Sequence, residues 1–252
     1  MLVLDIYNFI DKIAPFNTQM DFDNAGILIG DLNKEVRKIL ISLDITSDVI
    51  SEAKNLGVEL IISHHPVIFN PIKKILKNDF SYLLVSLGIS VICAHTNFDI
   101  APKGINFHLC EKLGIKDLYP LLICNSLPFG YFGKIEPLTL IEFANLVKFN
   151  LNCSMLRFSF KKNKLIKRVA VCSGAGGNLI YEVIKNKCDA FVTGEIKHHE
   201  ILLGNENDIS ILDVGHFKSE NIMTSYLKKI LQSKFSMLEF IESNCDDKIK
   251  FI

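Results

Sequence analysis

The chain has 252 residues, 49% of them apolar and 22% charged, and its 28 basic side chains balance 28 acidic ones. That length can bury a sizeable core in one large domain or in two packed lobes. A net charge of zero lacks the basic excess typical of nucleic-acid binders, and no apolar run approaches the roughly 20 residues of a membrane-spanning helix.

In chain order, MLVLDIYNFIDKIAPF carries Asp5 and Asp11 among apolar residues at helical spacing. It reads as an amphipathic first helix rather than a signal peptide. KILISLDIT (38–46) reads as a buried strand, and SDVISEAKNLG (47–57) as a helix ended by glycine. VELIIS (58–63) is a second strand, FSYLLVSLG (80–88) a helix, ISVICA (89–94) a third strand and KGINFHLCEKLG (103–114) a helix. This alternation with near-continuous apolar strands predicts an α/β protein with mostly parallel sheets covered by helices.

The second half repeats the logic. TLIEFANLVKFN (139–150) is helical, and SMLRFSF and LIKRVAVCS flank KKNK as an expected antiparallel pair. SGAGG (173–177) opens the helix NLIYEVIKNK, DAFVTG (189–194) and DISILDVG (208–215) are strands, HFKSENIMTSYLKKILQ (216–232) is one helix, and FSMLEFIES (235–243) is a last strand. The least regular stretch, about 115–137, places a boundary between lobes 1–125 and 126–252. Seven scattered cysteines without a CxxC pair read as reduced core thiols of a cytoplasmic protein.

Functional residues of open α/β sheets gather past the carboxyl ends of strands. Those positions hold Asp44, then His64 and His65, then His95 and Asp99, then Glu195, His198 and His199, then His216 and Glu220. Of the seven histidines only His108, inside a helix, lies elsewhere. His216 and Glu220, four apart on a helix, share one face. His64 and His65 reach one site only if the backbone turns, and Pro66 is consistent with a turn. Imidazoles and carboxylates suit Zn, Fe, Mn or Ni without a thiolate. Asp44 has a plainer reading as a helix N-cap. SGAGG reads either as a tight packing turn or as a turn offering N–H groups to an anion.

MDFDNAGILIG, ISHHPVIF, AHTNFD, VTGEIKHHE and GHFKSE, in that order across residues 21–220, resemble the motifs of the Nif-three-like family. Some of its members carry the name GTP cyclohydrolase I type 2. The resemblance implies two similar α/β lobes, a dinuclear metal site between them and a ring-shaped homohexamer. By motif, the ligands of two divalent ions (Zn, Fe or Mn) would be His64, His65, Asp99, His216 and Glu220, with His95 lining the site. Many members have tryptophan before the DN-x-GL motif, where this chain has Phe22. The chain is also too short for the domain that longer members insert between the lobes.

Five ligands for two ions leave open positions, as catalysis requires. The resulting expectation is a metal-dependent hydrolase of a nucleotide or related phosphate-bearing small molecule. GTP is the named candidate, opened at its imidazole ring with loss of formate. Glu220 is preferred to Asp99 as the bridging carboxylate, and His95 and Glu195 are the candidates for proton transfer. The other reading is a non-enzymatic metal-binding ring that holds a protein or nucleic-acid partner.

Overall fold

The computed structural model describes residues 1–250. The chain divides into two compact units, Met1–Phe98 with Met223–Asp246, and Asp99–Ile222 with the residues from Asp247 on. The division therefore falls at 98/99 and 222/223, whereas the sequence reading places it at 125/126. The irregular stretch that prompted that reading is a β-hairpin inside the second unit.

Helix α1 (Val3–Ile13) opens the first unit and buries Val3, Ile6 and Ile10. Strands β1 (Gly26–Ile29) and β2 (Lys38–Ser42), helix α2 (Ser47–Leu56), strand β3 (Leu60–Ser63), helix α3 (Phe80–Leu87) and strand β4 (Ser90–Cys93) follow. Thr46 caps α2 by accepting from the Val49 N–H at 3.3 Å. Gly57 ends α2 at φ +66°, where a Cβ would be strained.

Helix α4 (Thr96–Asp99) leads into the second unit: α5 (Ile105–Lys112), β5 (Lys116–Cys124), β6 (Leu127–Leu138), α6 (Leu140–Asn150), β7 (Arg157–Ser159), β8 (Ile166–Cys172), α7 (Ile180–Lys185), β9 (Ala190–Thr193), α8 (His198–Glu206), β10 (Ser210–Asp213) and α9 (His216–Glu220). Helix α10 (Ile222–Lys234) and strand β11 (Glu239–Glu242) return the chain to the first unit. The expected single helix 216–232 is thus two helices that break at Asn221.

Among the described residues the strands form two sheets, ordered β1-β4-β3-β2-β11 and β5-β6-β8-β9-β10-β7. The first is parallel except for β1, which runs antiparallel to β4. The second is mixed: β8, β9 and β10 are parallel, and β5, β6 and β7 pair antiparallel. The expected pairing of 154–160 with 165–173 does not occur. Strand β7 joins β10 at the sheet edge instead, and β8 lies between β6 and β9.

In the first unit Leu40, Ile61 and Val91 lie in register and pack with Val49, Ala53 and Leu84 of the covering helices. In the second, Ala170, Phe191 and Ile211 pack with Ile180, Val183 and Leu179. All seven cysteines, each among the described residues, are free thiols and five are buried. No helix of the described residues is long and apolar enough to cross a membrane.

Candidate metal centre

In the first unit three neighbouring parallel strands stop at one level, since Ser42 pairs with Ser63 and Ser63 with Cys93. Two residues past each of these stand Asp44, His65 and His95. Register alone therefore brings an aspartate and two imidazoles to one sheet edge, and His64 joins them because the backbone turns. The His64 and His65 N–H groups both reach back to the Leu43 carbonyl, at 3.2 and 2.9 Å. The three imidazole rings lie with centroids 5.0, 5.1 and 5.5 Å apart. One ring nitrogen of each is within 4.8 Å of the others.

Each ring is fixed through Nδ1. Fully buried His64 donates to the Ala94 carbonyl (2.8 Å), His65 to Asp44 Oδ1 (2.7 Å) and His95 to Asp23 Oδ1 (2.7 Å). A carbonyl or an ionised carboxylate only accepts, so the proton sits on Nδ1 and the lone pair on Nε2. Asp23 also accepts from the Thr96 N–H (3.0 Å) and, through a short bond, from the Thr96 hydroxyl. Burial pushes its carboxyl up, but the His95 and Thr96 bonds outweigh this and hold it at about 2.

In the second unit Cys172, Thr193 and Asp213 also end level across β8, β9 and β10. Two residues past them stand Gly174, Glu195 and Gly215. His216 begins α9 just beyond. Its Nδ1 lies 2.9 Å from Glu195 Oε1 and its Nε2 2.9 Å from Glu220 Oε2. A neutral imidazole has one N–H and satisfies one of these carboxylates; the second requires another proton or a cation at Nε2.

Glu220 is buried, and its carboxylate occupies the space above Gly174, where a Cβ would overlap Oε1. Gly174, at φ +59°, admits no side chain without strain. Buried Asp99 is anchored through Asn106, which donates to the Asp99 carbonyl (3.1 Å) and accepts from the Ser173 N–H (2.8 Å). Burial, with the nearby charges of Asp99 and Glu220, pushes the Cys172 thiol well up, so it stays a neutral thiol.

The structure places His64, His65 and His95 together in one unit, and His216, Glu220 and Glu195 together in the other. His198 and His199 are exposed at the start of α8 and belong to neither group. Two residues carry more than their sequence reading. Asp44 is not the cap of α2, which is Thr46; it orients His65. Asp23, quoted within the DFDN motif without a role, orients His95.

Three of the five N–H groups of the SGAGG turn are used within the protein. The N–H groups of Ser173, Gly174 and Gly177 are spent on Asn106, Ser219 and the Glu195 carbonyl. A Cβ at Gly176 would meet the Cys172 side chain at 2.6 Å.

The donor set fits a divalent metal. Imidazole Nε2 atoms held by outer acceptors, together with buried carboxylates, form a nitrogen–oxygen set suited to Zn, Fe or Mn. His108 Nδ1 also meets a carboxylate, Glu111 at 2.7 Å, yet belongs to no such group. One oriented imidazole is therefore no site, and the weight rests on the clustering.

The two sheets covered by helices, with imidazole and carboxylate groups gathered past their strand ends, define an α/β protein equipped to hold a metal ion. The chain belongs to the Duf34/NIF3 (NGG1p interacting factor 3) family, which it matches over residues 1–248. It is 37% identical over 240 residues to the GTP cyclohydrolase 1 type 2 homolog of Campylobacter jejuni, covering 92% of this chain and 93% of that one. It is 34% identical over 264 residues to the homolog of Clostridium perfringens, covering both fully. The fold matches hypothetical protein SA1388 of Staphylococcus aureus with TM-score 0.92 and 28% identity, over 100% of this chain and 99% of that one. It matches reduced HcgD of Methanocaldococcus jannaschii with TM-score 0.85 and 28% identity, over 97% and 98%.

Proposed function

We propose that the protein is a dinuclear metal-dependent hydrolase of a nucleotide or related phosphate-bearing small molecule. The observation that carries this reading is the shared orientation of three strand-end imidazoles, with His216 of α9 set between two carboxylates. His64, His65 and His95 each commit Nδ1 to a carbonyl or carboxylate, so that Nε2 is the donor atom, and His216 places Nδ1 on Glu195 and Nε2 on Glu220. In this reading His64, His65, Asp99, His216 and Glu220 would be the residues that hold two divalent ions, Zn, Fe or Mn. Bound ions of this kind polarise the group under attack and make water more acidic.

The chain's own residues do the rest. His95, fixed by Asp23, accepts a proton at Nε2 and returns it to the leaving group. Glu195, whose Oε1 lies against His216 Nδ1, holds that ring and is the second candidate for moving a proton. The names of the relatives make GTP the first substrate to test, and the assembly proposed is a homohexamer.

The test is formate release from GTP, and turnover of a broad nucleotide and phosphoester panel, by metal-loaded protein. Metal-dependent turnover is the expected result. A second reading, a non-enzymatic ring that binds a partner, draws on the family's description as an interacting factor. Absence of turnover across the panel by metal-replete protein gives that reading precedence. Light scattering that returns the mass of a single chain removes the hexamer.

A further inference from the structure

Beside the imidazole cluster two large aromatic side chains stand in solvent. Phe22 is 65% exposed and Phe69 45%, with ring centroids 6.3 Å apart and planes tilted by 46°. Exposed phenylalanine forgoes a large hydrophobic gain, and a pair of rings in solvent offers an apolar face to another molecule.

The backbone on which both rings stand is held in place. Phe22 is one peptide bond from Asp23, whose carboxylate receives His95 and Thr96. Asn24 Nδ2 donates to the Ile68 carbonyl at 2.7 Å, and Ile68 precedes Phe69. Val67 and Ile68 pack against the buried core while Phe69 turns outward. Two further bonds brace the loop that carries Phe22: the Met20 N–H to Thr96 Oγ1 (3.0 Å) and the Ala25 N–H to Gln19 Oε1 (2.6 Å). The aromatic pair is thus tied to the mounting that orients His95.

The segment that carries Phe69 continues into Lys73, Lys74 and Lys77. All three are exposed, and every lysine ion pair of the described residues lies elsewhere. A chain of zero net charge therefore carries three exposed lysines outside any ion pair on the segment that follows Phe69. Aromatic faces stack planar heterocycles with little regard to identity, and ammonium groups draw phosphate oxygens. A nucleotide supplies both halves.

We propose that Phe22 and Phe69 form the stacking platform for the base of a nucleotide, whose phosphates are drawn by Lys73, Lys74 and Lys77. The proposal rests on the hydrolase reading and narrows its substrate class from phosphate-bearing small molecules to those carrying a planar heteroaromatic ring.

The experiment is equilibrium binding, read by calorimetry without turnover, of GTP, guanosine and inorganic triphosphate to metal-loaded protein. Phe22→Ala and Phe69→Ala each weaken GTP and guanosine by about tenfold and leave triphosphate unchanged. Phe22→Trp keeps the wild-type affinity, because a larger ring stacks as well. The double variant Lys73→Ala/Lys74→Ala weakens GTP and triphosphate and leaves guanosine unchanged.

Wild-type protein that binds neither guanosine nor adenosine overturns the platform. So does equal guanosine binding by the two alanine variants. If Phe22→Ala or Phe69→Ala instead lowers the mass in solution with base binding intact, the ring pair is a contact between copies and the proposal fails. Base binding without any turnover sinks the hydrolase reading and spares the platform. Turnover of phosphate compounds without base dependence does the reverse.

Discussion

The two units end their parallel strands in the same register and build their sites differently. In the first, the positions two past Ser42, Ser63 and Cys93 carry Asp44, His65 and His95, so the strand ends themselves bear the chemistry. In the second, the equivalent positions past Cys172, Thr193 and Asp213 are Gly174, Glu195 and Gly215. Two of the three have no side chain, and the donors come from α9. The glycines let that helix approach: a Cβ at Gly174 would overlap Glu220, and one at Gly194 would lie 2.5 Å from Ser219 Oγ.

One cluster is thus nitrogen-rich, with its carboxylates behind the imidazoles. The other sets carboxylates on both sides of one imidazole. Neutral imidazoles would bring no charge to a bound cation, whereas a carboxylate such as Glu220 would offset it.

The largest expected effect is ligand removal. Metal-loaded wild type carries about two ions per chain, the number proposed above for a dinuclear centre. His216→Ala and Glu220→Ala each lower that number in elemental analysis and leave the circular dichroism of the fold unchanged, because neither side chain belongs to the packed sheet core. His64→Ala loses metal and activity together. Either second-unit variant unfolding with its metal retained would make that cluster structural, and the contrast between the units would collapse.

Next in size are the residues that orient the imidazoles. Asp44→Ala and Glu195→Ala weaken metal affinity by roughly 10- to 100-fold, the range for outer partners of ligating histidines. Asp23→Ala and His95→Ala keep the metal and slow turnover by roughly 10²-fold, the range for a lost acid–base group. A fully active His95→Ala leaves His95 as a mere neighbour of the ligands. Metal competition and turnover, measured on the same preparations, separate the two groups.

Much of this was legible in the chain. Apolar runs such as LIIS and SVIC, short and rich in β-branched residues, read as buried strands and announce where their ends lie; the histidines at those ends announce the clusters. The hairpin of β5 and β6 was not legible. Pro120, Pro128, Gly130 and Gly133 read as breakers, most of β5 is exposed, and its turn is Asn125-Ser126 at φ +49° and +64° rather than a glycine pair. The position of β7 depends on a long-range pairing with β10, which no local pattern encodes. Asp23 and Asp44 were visible as residues but not in their roles, because their partners lie 72 and 21 positions away.

The Asp23 bond network also carries a pH dependence. Its carboxyl is held at about 2, below the ordinary 3.8, so the folded state favours the ionised form. The associated stability is fully present above pH 4 and is lost as pH falls toward 2. It amounts to about 2 kcal/mol. Urea unfolding of wild type and Asp23→Asn in chelator tests this. The gap between them narrows as the pH is lowered from 5 to 3 (roughly the titration range of a carboxyl,). A gap constant over that range shows that Asp23 is not held ionised by the fold.

The smallest effect distinguishes two side chains, two positions apart, just before α2. Thr46 accepts from the Val49 N–H, so it caps the helix, while Asp44 faces His65. Loss of a threonine cap costs about 1 kcal/mol. Thr46→Ala therefore lowers the urea midpoint slightly and leaves metal affinity untouched. Asp44→Ala does the opposite: it weakens the metal and, in chelator, unfolds near the wild-type midpoint, because the cap of α2 is Thr46. Were Asp44→Ala to cost as much stability as Thr46→Ala with metal affinity unchanged, the aspartate would be a helix-start residue after all. The register rule that brings Asp44, His65 and His95 to one edge would then lose its first member.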